Sequence, residues 1–206
     1  LFAPGTGTPG ATHAMSTSAD PCELDADGLS KLVHERRISC RELMAAFLRR
    51  IELLNPRFNA IVSLRDPQAL LAEADALDAE LAKGSSRGWL HGLPVAVKDL
   101  SDVAGIRTTM GSPIFRENVA AADGLMAARM RAAGAILIGK TNTPEFGLGS
   151  QTYNTVFGAT RNAWDPDLCA GGSSGGAAVA LALRMLPVAD GSDMGGSLRN
   201  PAAYAN

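Results

Sequence analysis

Apolar residues recur at helical spacing along the first third of the chain. Leu29, Leu32 and Val33 share one face of a helix expected from about Asp25 to Arg36. Ser39-Cys40-Arg41-Glu42 has the Ser-x-x-Glu pattern of a capping box. Leu43, Phe47, Ile51 and Leu54 continue from it as one stripe. Asn55-Pro56 is expected to stop that helix, because the residue before proline avoids helical backbone. Phe58 to Ser63 predicts a short strand. Asp66-Pro67 opens a third helix with proline at its first position. Leu70, Leu71, Ala74, Leu77 and Leu81 form its apolar stripe, and Gly84 ends it. These stripes predict core packing rather than a binding surface.

Beyond the Gly/Ser/Arg loop at 84–88 the pattern changes. Leu93 to Val97 predicts a buried strand, Gly124 to Ala133 a helix, and Ala135 to Ile138 an apolar strand. A Gly-Ser loop, a helix from about Gly175 to Leu183 and a strand near Val188 to Ala189 follow. Strand and helix alternate, which predicts an α/β core with helices packed on a sheet. There is no internal repeat.

Composition changes this picture little. The chain has 206 residues, 46% hydrophobic and 19% charged, with a formal net charge of −2, enough for one core. No strongly basic surface is implied, so nucleic acid is not an expected partner. The apolar runs, such as Ala177 to Leu183, are too short to span a bilayer, and no membrane partner is expected. Cys22, Cys40 and Cys169 are irregularly spaced and describe neither a disulfide framework nor a zinc site. Reduced thiols and a cytoplasmic location are the expectation. Residues 1–20 are rich in Gly, Pro, Ser and Thr without an apolar period, and are expected to be disordered. They lack the make-up of a secretory signal, and Met15 is the expected start of translation.

The chemistry concentrates in three pieces. Gly171-Gly172-Ser173-Ser174-Gly175-Gly176 and Gly191-Ser192-Asp193-Met194-Gly195-Gly196-Ser197 are serine clusters between glycines, where a ligand can meet bare backbone N–H groups. Lys98 ends an apolar run, where burial can push an amine toward neutrality and make it a base. Together they suggest a serine nucleophile activated without histidine. Alone, each has an ordinary explanation: a surface lysine, a helix N-cap, a turn.

Two familiar patterns are present and misleading. Gly134-Ala135-Ile136-Leu137-Ile138-Gly139-Lys140-Thr141 satisfies G-x-x-x-x-G-K-[ST], but its inner residues read as a strand rather than a phosphate-wrapping loop. Gly172-Ser173-Ser174-Gly175-Gly176 satisfies G-x-S-x-G with Ser174 as nucleophile. A nucleophile elbow needs a strand before it and a later histidine. Residues 161–170 are a poor strand, and His13, His34 and His91 all precede Ser174.

The Lys98 strand, Gly139-Lys140-Thr141-Asn142-Thr143-Pro144-Glu145-Phe146, the GGSSGG cluster and the GSDMGGSLRNPAA segment resemble the amidase signature family in order and spacing. The resemblance runs from about Asp25 to the end. It implies a mixed central sheet covered by helices (α/β/α), here truncated, with residues 21–206 as the N-terminal part of a single domain. It implies Ser197 as nucleophile, with the backbone N–H groups of Met194, Gly195, Gly196 and Ser197 as an oxyanion hole. Ser173, preceded by a cis Gly172–Ser173 bond, would bridge to Lys98 as base. Ser174 would make hydrogen bonds around Ser173. Asp193 and Arg199 would support the Ser197 loop as an ion pair, and Gly147, within Phe146-Gly147-Leu148, would line the acyl pocket. No metal or cofactor is called for. Many relatives carry threonine where Ser192 stands, which keeps the hydroxyl.

The implied activity is hydrolysis of a small carboxylic acid amide to acid and ammonia through an acyl-enzyme. The alternative is the A subunit of a tRNA-dependent amidotransferase, which uses the same chemistry on glutamine. That subunit usually has asparagine after the Lys-Asp pair and an Asn-Met-Asp-Glu-Phe run. Leu100 and Asn142-Thr143-Pro144-Glu145-Phe146 stand instead, which favours a stand-alone amidase. A homodimer remains open. The family's domain is at least roughly twice as long, so a third expectation is a poorly soluble or inactive fragment with exposed sheet edges.

Overall fold

In the computed structural model, residues 20–205 are described. The expected disorder of residues 1–19, and Met15 with it, lies outside them. Asp20 lies inside: its carboxylate accepts the Cys22 N–H at 3.0 Å and caps a short turn at Pro21–Glu23.

Six helices are described: α1 (Ala26–His34), α2 (Cys40–Phe58), α3 (Pro67–Ala82), α4 (Leu125–Ala132), α5 (Gly175–Ala182) and α6 (Arg199–Ala205). Six strands accompany them: β1 (Ile61–Val62), β2 (Pro94–Lys98), β3 (Ile136–Thr141), β4 (Tyr153–Asn154), β5 (Gly158–Ala159) and β6 (Val188–Ala189). The main sheet has the order β1-β3-β2-β6; β4 and β5 form a separate small pair. β2 runs parallel to β3 and β6, while β1 is antiparallel to β3, so the sheet is mixed. Every residue of β2 and β3 is buried. Successive strand residues point to opposite faces, so both faces of the central strands are covered. The fold is the expected α/β arrangement of helices around a mixed sheet.

The local rules work where side chains satisfy backbone groups. The Ser39–Glu42 capping box forms in both directions, and Asp66 caps α3 through Ala69 N–H. Asn55-Pro56, however, does not stop α2. Glu52 and Pro56 both lie on the exposed face, so the carbonyl deprived of its partner meets water. Phe58 is buried, and the helix keeps its last turn to put it there. Asn59, in the left-handed region at φ 50°, ends it. The expected strand at 58–63 is therefore only Ile61–Val62.

Asn55 ties this corner together. Its Nδ2 donates to the Ile61 carbonyl at 2.8 Å, and its Oδ1 accepts the N–H groups of Ala60 (3.0 Å) and Ile61 (2.8 Å). Asn55→Ala leaves three backbone groups without partners at the entry to the sheet. We expect a loss of about 2–3 kcal/mol, read as a lower urea midpoint with an unchanged slope; an unshifted midpoint would show that water replaces these bonds at no cost.

Candidate active site

Lys98 is the last residue of β2, at the centre of the sheet, and is 1% exposed. The register pairs Val97 with Lys140 and Lys98 with Thr141. The pleat therefore sends Lys98 to one face and Lys140, with Asp99, to the other. On the Lys98 face, Nζ lies 2.8 Å from Ser173 Oγ, 2.8 Å from Ser174 Oγ and 3.0 Å from Ser192 Oγ. Two of these hydroxyls come from the turn that enters α5, the third from the loop that leaves β6. The Gly172–Ser173 peptide bond is cis, as expected.

Burial pulls the Lys98 amine down from 10.5 to about 8, against the opposing pull of Asp190 and Asp193. A neutral amine has one lone pair and two N–H groups, which matches three hydroxyl neighbours. The Ser174 hydroxyl can donate to the Ser192 carbonyl (3.3 Å), leaving its oxygen to accept from Lys98. That arrangement leaves Ser173 free to give its proton to the amine.

Ser197 lines the same cleft, with Leu100, Phe146, Gly147, Ser173 and Met194, in a volume of about 440 Å³. Its carbonyl accepts the Ser174 N–H at 3.0 Å, which holds the two glycine-flanked loops together. No hydrogen bond joins its hydroxyl to Ser173. Asp193 organises this loop. Its carboxylate takes Arg199 Nε (3.0 Å) and Nη2 (2.9 Å), and also the N–H groups of Gly196 (2.7 Å), Leu198 (3.1 Å) and Arg199 (3.3 Å). The guanidinium and these amides hold its carboxyl far below the usual carboxylate range. The Asp193–Arg199 pair is as expected.

Of the four N–H groups expected to face an oxyanion, one is already engaged. The Gly196 N–H already donates to Asp193, so it is not free for an oxyanion. Gly196 serves geometry instead: φ is +114°, and a Cβ would sit 2.8 Å from Asn200 Nδ2. The N–H groups of Met194, Gly195 and Ser197 make no hydrogen bond among the described residues. Gly147 sits at φ +70°, where a Cβ would meet Leu100 Cδ1 at 2.6 Å. A side chain there would crowd the cleft beside Ser173.

The two misleading motifs resolve plainly. Gly139, Lys140 and Thr141 lie inside β3, and Lys140 is fully buried. Its Nζ donates to the Ser101 carbonyl and to Thr108 Oγ1 (3.1 Å), 4.0 Å from Asp99 Oδ1. No phosphate loop exists there. The turn before Ser174 follows no strand, only an isolated bridge between Arg161 and Cys169, so the elbow geometry is absent as well. Sequence reasoning gives Ser192 no role beyond standing in for threonine. It also passes over Asp190, although a carboxylate closing an apolar strand is a visible signal.

A family model described as Amidase matches residues 42–206. The chain belongs to the amidase family. It is 44% identical over 175 residues to the A subunit of the glutamyl-tRNA(Gln) amidotransferase of Coxiella burnetii, covering 85% of this chain and 36% of that protein. Among solved structures, a bacterial aryl acylamidase of the amidase signature family superposes with a TM-score of 0.84 at 36% identity, over 89% of this chain and 38% of the other. The peptide amidase of Stenotrophomonas maltophilia gives 0.81 at 33% identity, over 88% and 38%. The chain thus spans little more than a third of the length of these relatives. Among the described residues, no helix is long and apolar enough to cross a membrane.

The lowered proton affinity of Lys98 has a thermodynamic consequence. Between about pH 8 and 10.5 the unfolded chain keeps a proton here that the folded chain has lost. Stability contributed by this site therefore rises with pH across that window. Relative to Lys98→Met, the wild type should gain up to about 3 kcal/mol from pH 7.5 to 10.5 in denaturant titrations. A constant difference would mean that Lys98 titrates normally.

Proposed function

We propose that this site cleaves amide bonds through a serine acyl-enzyme, with Ser197 as nucleophile, Ser173 as proton relay and Lys98 as base. The observation that carries the reading is the buried Lys98 amine 2.8 Å from Ser173 Oγ, its proton affinity lowered by burial, beside a cleft that Ser197 also lines.

Ser197 Oγ attacks the amide carbonyl carbon and its proton passes to Ser173, whose own proton passes to Lys98. The carbonyl oxygen becomes an oxyanion facing the free N–H groups of Met194, Gly195 and Ser197. Such donors act strongly because they are fixed before charge develops; removing one costs roughly 3–4 kcal/mol in other enzymes. When the C–N bond breaks, the proton returns through Ser173 to the leaving nitrogen. Water then attacks the ester carbonyl, gives its proton to the same relay and releases acid, restoring the Ser197 hydroxyl. Asp193 and Arg199 hold the loop in shape, Ser174 and Ser192 orient the amine, and Gly147 leaves room for the acyl group.

Two readings of the amide are supported. Leu100 and Asn142-Thr143-Pro144-Glu145-Phe146, with the likeness to an aryl acylamidase and a peptide amidase, favour an amidase acting alone on a small amide, releasing acid and ammonia. The identity with amidotransferase A subunits supports glutamine as the amide, with a partner protein receiving the ammonia. Restoration of glutaminyl-tRNA formation in an extract lacking that A subunit separates the two.

The serine chemistry is tested by labelling with a fluorophosphonate. We expect labelling that Ser197→Ala abolishes and that Lys98→Met slows by about 10²–10⁴-fold. The wild-type rate should rise with pH to a plateau above about 8, where Lys98 is neutral. Labelling that survives Ser197→Ala, or that ignores Lys98→Met, overturns the assignment.

A further inference from the structure

The central strand has an acid on each side of Lys98, and the two are committed differently. Asp99, on the opposite face, accepts Thr109 Oγ1 (2.5 Å) and Thr109 N–H (3.1 Å) and faces Lys140. Asp190 follows β6 directly. The β2–β6 ladder is short, Val95 with Val188 and Ala96 with Ala189. Beyond it, Asp190 Oδ1 accepts the Lys98 backbone N–H at 2.6 Å. A side chain takes over from main chain at the place where the sheet meets the site.

We propose that Asp190 is the positioning residue of Lys98: its carboxylate closes the ladder on the lysine's own backbone N–H, and its ionised form favours the ammonium form of the Lys98 side chain. The inference rests on reading Lys98 as the base. A base buried among hydroxyls alone would lose its proton too readily to take one from serine. A neighbouring carboxylate restores proton affinity toward the working range.

The other charges near this point are accounted for. From the loop beyond β6 comes Asp193, engaged by Arg199 of α6 and by three amides. From β3 comes Lys140, on the other face, which also feels Asp99, Asp102 and Asp190. The start of α5 offers only the Ser173 and Ser174 hydroxyls. Among the acids acting on Lys98, Asp190 acts most strongly and Asp193 next. Burial raises the proton affinity of Asp190 itself, opposed by the Lys98 N–H, Lys140 and Lys98. The charge of Asp190 favours the ammonium, so its removal must lower the Lys98 midpoint.

The test is Asp190→Asn, which keeps the size and the Oδ1 acceptor but not the charge. In protein labelled with 13C-lysine, the Lys98 Cε resonance, identified by its loss in Lys98→Arg, reports the amine's midpoint directly. We expect it to fall by roughly half a unit to one unit in Asp190→Asn. The acid limb of fluorophosphonate labelling should move down by the same amount. An unmoved Cε midpoint in the folded variant overturns the proposal. A moved midpoint with an unmoved labelling limb supports Asp190 and overturns Lys98 as base. If Asp190→Asn does not fold, the wild type decides: its Asp190 carboxyl carbon, assigned through bonds, must titrate below the Lys98 midpoint. A carboxyl still protonated there overturns the proposal.

Discussion

A buried amine at the end of the central strand is the constraint on which the rest of this structure depends. Removing an ammonium from water is costly unless it gives up its proton or finds partners. β2 cannot release Lys98 to solvent, because β3 and β6 flank it and both faces are covered. The chain answers with two glycine-flanked loops that bring three hydroxyls to one nitrogen. The close approach of those loops, joined by Ser174 N–H and the Ser197 carbonyl, creates the cleft.

Lys140 is a control built into the same sheet. It is just as buried and sits one strand away, on the opposite face. It meets a carboxylate, a carbonyl and a threonine hydroxyl, and it is fully buried. Burial alone therefore does not decide what a lysine meets. Lys98 differs in having serines as its immediate partners and its carboxylate on the backbone side, where Asp190 holds the strand rather than capping the amine.

Much of this was legible in the chain. Helical stripes and caps located α1 to α3, because a capping box or an Asx cap is a local interaction that needs no tertiary context. The strand at Val188–Ala189 and the helix from Gly175 were also within reach, since apolar runs between glycines leave little choice. Proline at 56 misled, because its penalty is small when the orphaned carbonyl faces water and a buried Phe58 rewards another turn. β4 and β5 escaped notice because strands of two residues carry no periodicity. The order of the glycine-serine segments pointed to the lysine and serines together as candidates, whereas no single segment did. The engagement of Gly196 N–H by Asp193, and of Lys98 N–H by Asp190, could not be read from sequence. Both depend on where a loop folds back in space rather than on residue type.

The central question is which oxygen receives the acyl group. The direct measurement is peptide mapping by tandem mass spectrometry after a brief reaction with p-nitrophenyl acetate and an acid quench. The predicted result is an acetyl ester on Ser197 that is lost when the quench is delayed. An acetyl group on Ser174, or on the Lys98 amine, would contradict it.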